Sequence, residues 1–141
     1  MEPRPFADVR RILLERAREG RNPFLRADPA KVRAALDSLS SVEPQAWVET
    51  WSALAAPHQA SAAAAERAGD HVTAEKEYLL AYEYWRVARY PAPNSAVKHE
   101  AYRASQQMYL KAAYWFDPPL ERVWMLSASA CASLSGSPIR Y

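Results

Sequence analysis

The chain has 141 residues, 50% of them hydrophobic and 24% charged, the size and composition of a single globular domain. Its 18 Lys/Arg against 16 Asp/Glu give a net charge of +2, which offers no general attraction for nucleic acid. A single cysteine, Cys131, excludes an intramolecular disulfide and suits the cytoplasm, and no apolar run reaches the ~20 residues of a membrane-spanning helix.

Three glycines are too few for a turn-rich β fold, and the abundant Ala, Leu, Glu and Arg favour helix. The N-terminal Glu2, Pro3, Pro5 and Asp8 lack the apolar core of a signal peptide. Phe6, Val9, Leu13 and Ala17 then recur at helical spacing, widened by Ile12 and Leu14, which predicts a first helix over 6–19 with Gly20 as its stop. Residues 1–35 hold nine Lys/Arg and five Asp/Glu. The interleaved signs of Arg11, Glu15, Arg16, Arg18 and Glu19 read as a solvated helix face.

Asp28-Pro29 starts a second helix, the aspartate capping free amides and the proline filling the first turn; Val32, Ala35, Leu36 and Leu39 form its apolar face. Glu43-Pro44 opens a third, with Trp47, Trp51, Leu54, His58, Ala62 and Ala65 on one stripe. Pro57 lies inside that pattern and predicts a kink, with the helix continuing to Ala68. Gly69-Asp70 makes a tight turn, Asp70 capping a fourth helix. Ala74, Tyr78, Ala81, Trp85 and Ala88 alternate small and large along it, while Leu79, Leu80, Tyr82, Tyr84 and Val87 make most of its circumference apolar. Such a helix is expected at the centre of the fold, its tyrosines and Trp85 finding polar partners or lining a pocket.

Tyr90-Pro91-Ala92-Pro93-Asn94 is a loop, and Asn94 or Ser95 caps a fifth helix running to about Trp115. Asp117-Pro118-Pro119 ends it. Leu120 to Leu126 reads as a short strand, followed by an irregular Ser/Ala-rich tail. The expected fold is an all-α antiparallel bundle of about five helices, with a helical domain over 1–119 and a divergent segment over 120–141.

Catalytic signatures are missing from the sequence. There is no Gly-x-Ser-x-Gly nucleophile elbow and no glycine-rich phosphate loop. His58, His71 and His99 are isolated, without the pairing of a zinc site. His58 reads as a boundary residue, His71 as exposed. Glu75, Glu77 and Glu83 read as a solvated face. No catalytic, cofactor-binding or metal-binding residue is expected, and no cofactor.

Gly69, Asp70, Ala74, Tyr78 and Ala81 resemble the turn and second helix of a tetratricopeptide hairpin, without the preceding Trp-x-x-Leu-Gly pattern or a second copy at a 34-residue period. A broader resemblance spans residues 43–125. It is carried by Trp47 to Leu54, Ala68-Gly69-Asp70, Tyr78 to Ala88, Tyr102 to Ala112, and the junction Phe116-Asp117-Pro118-Pro119-Leu120-Glu121-Arg122-Val123. These residues resemble the N-terminal helical region of α/β-hydrolases of the dihydroxypseudooxynicotine hydrolase and FrsA-like esterase group. The resemblance implies a cap or lid that covers and shapes the substrate pocket of a Ser–His–Asp hydrolase core. It implies that core, joined in cis, or a small-molecule substrate as partner.

The sequence departs from that group after Val123, and no triad residue is carried over. The expected reading is therefore a truncated, frame-shifted or fragmentary hydrolase cap, not catalytic by itself. Tyr82, Tyr84, Trp85 and Tyr109 are the pocket or interface candidates, and self-association is expected through aromatic surface left uncovered. The alternative is a stand-alone tetratricopeptide-like protein-interaction module; a small-molecule-binding helical regulator is a third. Neither nucleic acid nor membrane is an expected partner.

Overall fold

A computed structural model describes residues 5–123. They form five helices: α1 (Phe6–Arg18), α2 (Pro29–Ser38), α3 (Pro44–Ala68), α4 (His71–Ala88) and α5 (Ala96–Ala113). The all-helical class expected from the sequence holds, with no strand among the described residues.

Local chemistry sets the helix ends. Asp28 accepts from Ala30 N at 2.8 Å, with Pro29 in the first turn. Glu43 accepts from Gln45 N at 2.9 Å, Asp70 from Thr73 N at 3.1 Å, and Ser95 from Lys98 N at 3.4 Å. Each satisfies an amide that has no partner within its own helix. Helices α1 and α3 close alike. Gly20 and Gly69 take left-handed φ values of 60° and 76°, and the next residue's amide reaches back across the last turn, Arg21 to Arg16 O and Asp70 to Ala65 O.

Helix α3 runs unbroken through Pro57, which is exposed, so its ring meets water and not a neighbouring helix. Helix α5 ends at Ala113, one turn's fraction short of Trp115. Tyr114 to Pro118 form turns and bends instead, and Leu120 N is tied back to Ala113 O at 3.4 Å. The expected strand is absent over 120–123; its remainder, 124–126, and the tail at 127–141 lie outside the described residues.

Contacts between pairs of residues fix the directions. Trp47 Nε1 donates to Val87 O at 2.9 Å near the open end of α3 and α4. Tyr78 Oη donates to Glu66 Oε2 at 2.5 Å near the Gly69 turn, so the two helices are antiparallel. Helix α5 runs antiparallel to α4 in turn: Tyr109 meets Tyr82 at a ring separation of 5.1 Å, and Arg89 lies 5.2 Å over the Tyr102 ring.

Helix α4 is the central element, packed most extensively against α3 on one side and α5 on the other. Ala55, Ala62, Ala74, Ala81, Ala88, Ala101 and Ala112 are all buried, and these small side chains let the helix axes approach closely. Two apolar clusters result. The larger gathers Leu13, Phe24, Leu36, Trp47, Trp51, Tyr84 and Val87 from four helices and the 19–28 loop. Its aromatic centre is Trp51, 5.6 Å from Phe24 and 5.5 Å from Trp47 between ring centroids. The smaller joins Ala62, Tyr78, Ala81, Met108 and Ala112, with Trp115 and Phe116 packed at its end.

Candidate functional site: a groove between α4 and α5

Helix α4 contributes Tyr82 and its C-cap residue Arg89 to one wall, and α5 contributes Tyr102, Gln106, Tyr109 and Leu110 to the other. Between them runs an open groove of about 590 Å³, lined by Tyr82, Arg89, Tyr102, Arg103, Gln106 and Tyr109 among others. Two smaller depressions lie on α1 and at the α1–α2 junction, of about 460 and 320 Å³.

Aromatic rings form the floor of the groove. Tyr109 touches Tyr82 and also sits edge-on to Phe116 at 5.8 Å. Cations lie on two of the tyrosines. Arg86 is 5.6 Å over Tyr82 while its guanidinium donates to Pro23 O at 2.8 Å, and Arg89 covers Tyr102. The Nε of Arg89 is shielded from water and has no acceptor among the described residues. Of the four candidates from the sequence, Tyr82 and Tyr109 line this groove. Trp85 is half-buried and does not line it, donating instead to Gln59 Oε1 of α3 at 3.3 Å.

Tyr84 belongs elsewhere. It is buried in the larger apolar cluster, stacked on His58 at 5.7 Å, and presents no face to a groove or partner. Burial raises its phenol pKa, opposed by a hydrogen bond from the Asp28 backbone amide. The physical reason is register: residue 84 lies on the stripe of Val87 and Ala88, which faces α3, whereas 82 and 89 lie a third of a turn or more away.

Glu83 is the clearest correction. Expected on a solvated face, it is only 1% exposed. Its Oε1 accepts from Arg26 N and Ala27 N at 2.5 and 2.8 Å, pinning the loop between α1 and α2 onto α4. Burial drives its carboxyl pKa upward, against the two amides and the Arg86 and Arg26 charges that favour the anion. Its Oε2 has no partner among the described residues. The signal in the sequence was an acid embedded in a stretch that is apolar around most of the helix. Lys98 is similar: buried to 5% exposure, it donates to Tyr90 O at 3.0 Å, and burial lowers its pKa.

Two polar clusters cross the helices away from the groove. Tyr78 Oη donates to Glu66 and accepts from Lys111 Nζ at 3.2 Å, so one phenol links α3, α4 and α5. The Tyr78 hydrogen bond lowers the Glu66 carboxyl pKa and raises that of the Lys111 ammonium, while burial raises the phenol's own. His58 Nδ1 meets Glu77 Oε2 at 2.7 Å, a half-buried pair bridging α3 and α4. The structure therefore puts His58 at the boundary position expected of it. His71 is exposed, as expected, and stacks on Trp115 at 5.5 Å.

An imidazole held by a carboxylate is the positioning half of a nucleophilic triad, but His58 has no hydroxyl or thiol hydrogen-bonded to it among the described residues. No group of three or more His, Cys, Asp or Glu gathers there for a metal ion either. No described helix is long and apolar enough to cross a membrane. The α4–α5 groove brings aromatic faces, amide side chains and guanidinium groups together along one concave strip. No protein family, curated protein or solved structure matches the chain.

Proposed function

We propose that this chain is a non-catalytic helical cap, binding through its α4–α5 groove and closing one side of a substrate pocket. The observation that supports a binding role is the groove itself: Tyr82, Tyr102 and Tyr109 share it with Arg89 and Arg103, more aromatic surface than α4 and α5 need for their own packing. The cap form of this role rests on the sequence resemblance over residues 43–125, in which a serine-hydrolase core is the partner and the cap shapes access to its substrate. A reducing cytoplasm suits Cys131, the single cysteine. Leu110, Tyr114 and Val123 are exposed and supply apolar surface for a core domain or, without one, for a second copy.

The test is serine-hydrolase chemistry in the purified chain. With p-nitrophenyl esters of short acids the expected rate is that of buffer alone, and a fluorophosphonate probe is expected to label no serine. Saturable turnover abolished by a single Ser→Ala substitution would overturn the proposal.

A further inference from the structure

Every charged side chain that lines the α4–α5 groove is an arginine: Arg89, Arg103 and Arg122, with no acid among the lining residues. Arg89 and Arg103 form no ion pair among the described residues. Glu100, one turn before Arg103 on α5, is not paired with it either. Outside the groove, Arg10 pairs with Asp37 and Arg21 with Glu19, while exposed Arg18, Arg33 and Arg67 form no ion pair among the described residues. Arg89 and Arg103 thus place positive charge without a carboxylate partner among the described residues beside tyrosine rings.

The geometry supplies both halves of a recognition site. Arg89 is held in place by its contact with the Tyr102 ring, and its Nε is already out of water without an acceptor. A planar guanidinium presents paired N–H donors that match the two oxygens of a carboxylate or phosphate. Gln106 and Gln107 add neutral donors on the α5 wall, which also carries Arg103. The tilted Tyr82–Tyr109 pair offers aromatic faces for a flat ring. A volume of about 590 Å³ suits a small organic molecule.

Resting on the groove as the binding surface of the proposed cap, we infer that it takes an aromatic anion: a small flat ring bearing a carboxylate or phosphate. The anion lies on Arg89 and Arg103, and the ring lies against Tyr82 and Tyr109.

Equilibrium dialysis of the full chain against 1-naphthoate, 1-naphthyl phosphate and neutral 1-naphthalenemethanol tests this. At least one anion is expected to bind saturably below about 1 mM, with the neutral alcohol at least tenfold weaker. Preference for naphthoate or for naphthyl phosphate identifies which oxyanion the arginines suit. Arg103→Ala, on the exposed side of α5, is expected to weaken the anions about tenfold and leave the alcohol unchanged. Arg89→Ala is expected to do the same, and circular dichroism melting shows that each variant is folded. Tyr109→Ala is expected to weaken all three ring compounds. Equal affinity for alcohol and anions overturns the inference, as does no saturation by about 5 mM or undiminished anion binding in both folded arginine variants. Those outcomes leave the cap proposal standing, whereas ester turnover overturns the cap proposal and leaves the anion site intact.

Discussion

Glu83 ties the loop between α1 and α2 to α4. Its carboxylate satisfies two backbone amides of the 19–28 loop, and leaving such groups unpaired out of water costs about 1–3 kcal/mol each. Glu83→Ala is accordingly predicted to destabilise the fold by about 2–3 kcal/mol in urea unfolding. Its pH dependence has a definite sign. Burial lifts its pKa above the ordinary 4.5, so the folded state holds the proton more tightly than the unfolded chain. The resulting stabilisation is complete below the unfolded pKa and is lost as pH rises through the folded one. Glu66 has the opposite sign, its pKa being lowered by the Tyr78 hydrogen bond, so the difference between the native protein and Glu83→Gln isolates the Glu83 contribution. That difference is predicted to change as pH rises from about 4.5 and then level off. The two buried tryptophans make a second residue-scale contrast. Trp47 Nε1 has Val87 O as acceptor, while Trp51 Nε1 has none among the described residues. Trp51→Phe removes an unpaired buried donor along with some volume, so it is predicted to cost less than Trp47→Phe, as thermal unfolding of the two variants will measure.

At the scale of elements, the caps and stripes were legible because they are local. Asp28-Pro29, Glu43-Pro44 and Gly69-Asp70 mark their helix ends by side-chain chemistry that needs no tertiary partner. The small–large alternation of Ala74, Tyr78, Ala81 and Ala88 reports a helix buried on several sides. Pro57 is the conspicuous local conflict. It removes a donor inside α3 yet the helix continues, and its exposure leaves no packing reason for a proline there. Because proline in a helix interior is worse than alanine by about 3 kcal/mol, Pro57→Ala is predicted to stabilise the protein by about 1–3 kcal/mol, read as a shift in urea midpoint. Gly69 tests the turn between α3 and α4. A Cβ added there meets nothing within 4 Å, so Gly69→Ala is predicted to cost only the left-handed backbone penalty, about 1 kcal/mol. Glu83 and Tyr84 were misread for one shared reason. A helix apolar around most of its circumference has no solvent face that periodicity can locate, and which side meets α3, α5 or the α1–α2 loop depends on contacts distant in sequence.

For the whole molecule, the antiparallel arrangement of α3, α4 and α5 determines what is left for function. One face of α4 is consumed by α3 and the loop anchored on Glu83. The other, against α5, leaves Tyr82 and Tyr109 accessible in the groove. Those two were identifiable as surplus aromatics, and no periodicity in the sequence could show that Arg89 and Arg103 would join them from separate helices. Leu110, Tyr114 and Val123 add exposed apolar surface, and light scattering is predicted to show the chain's apparent mass rising with concentration, an effect reduced in Tyr114→Lys. The central claim proposed is that the α4–α5 groove is the binding face of the bundle. Backbone amide NMR spectra of the labelled chain, recorded while 1-naphthoate and 1-naphthyl phosphate are added, test it most directly. Saturating shifts concentrated at Tyr82, Arg89, Tyr102, Arg103 and Tyr109 are the predicted result; saturating shifts centred on α1 and α2 would contradict it.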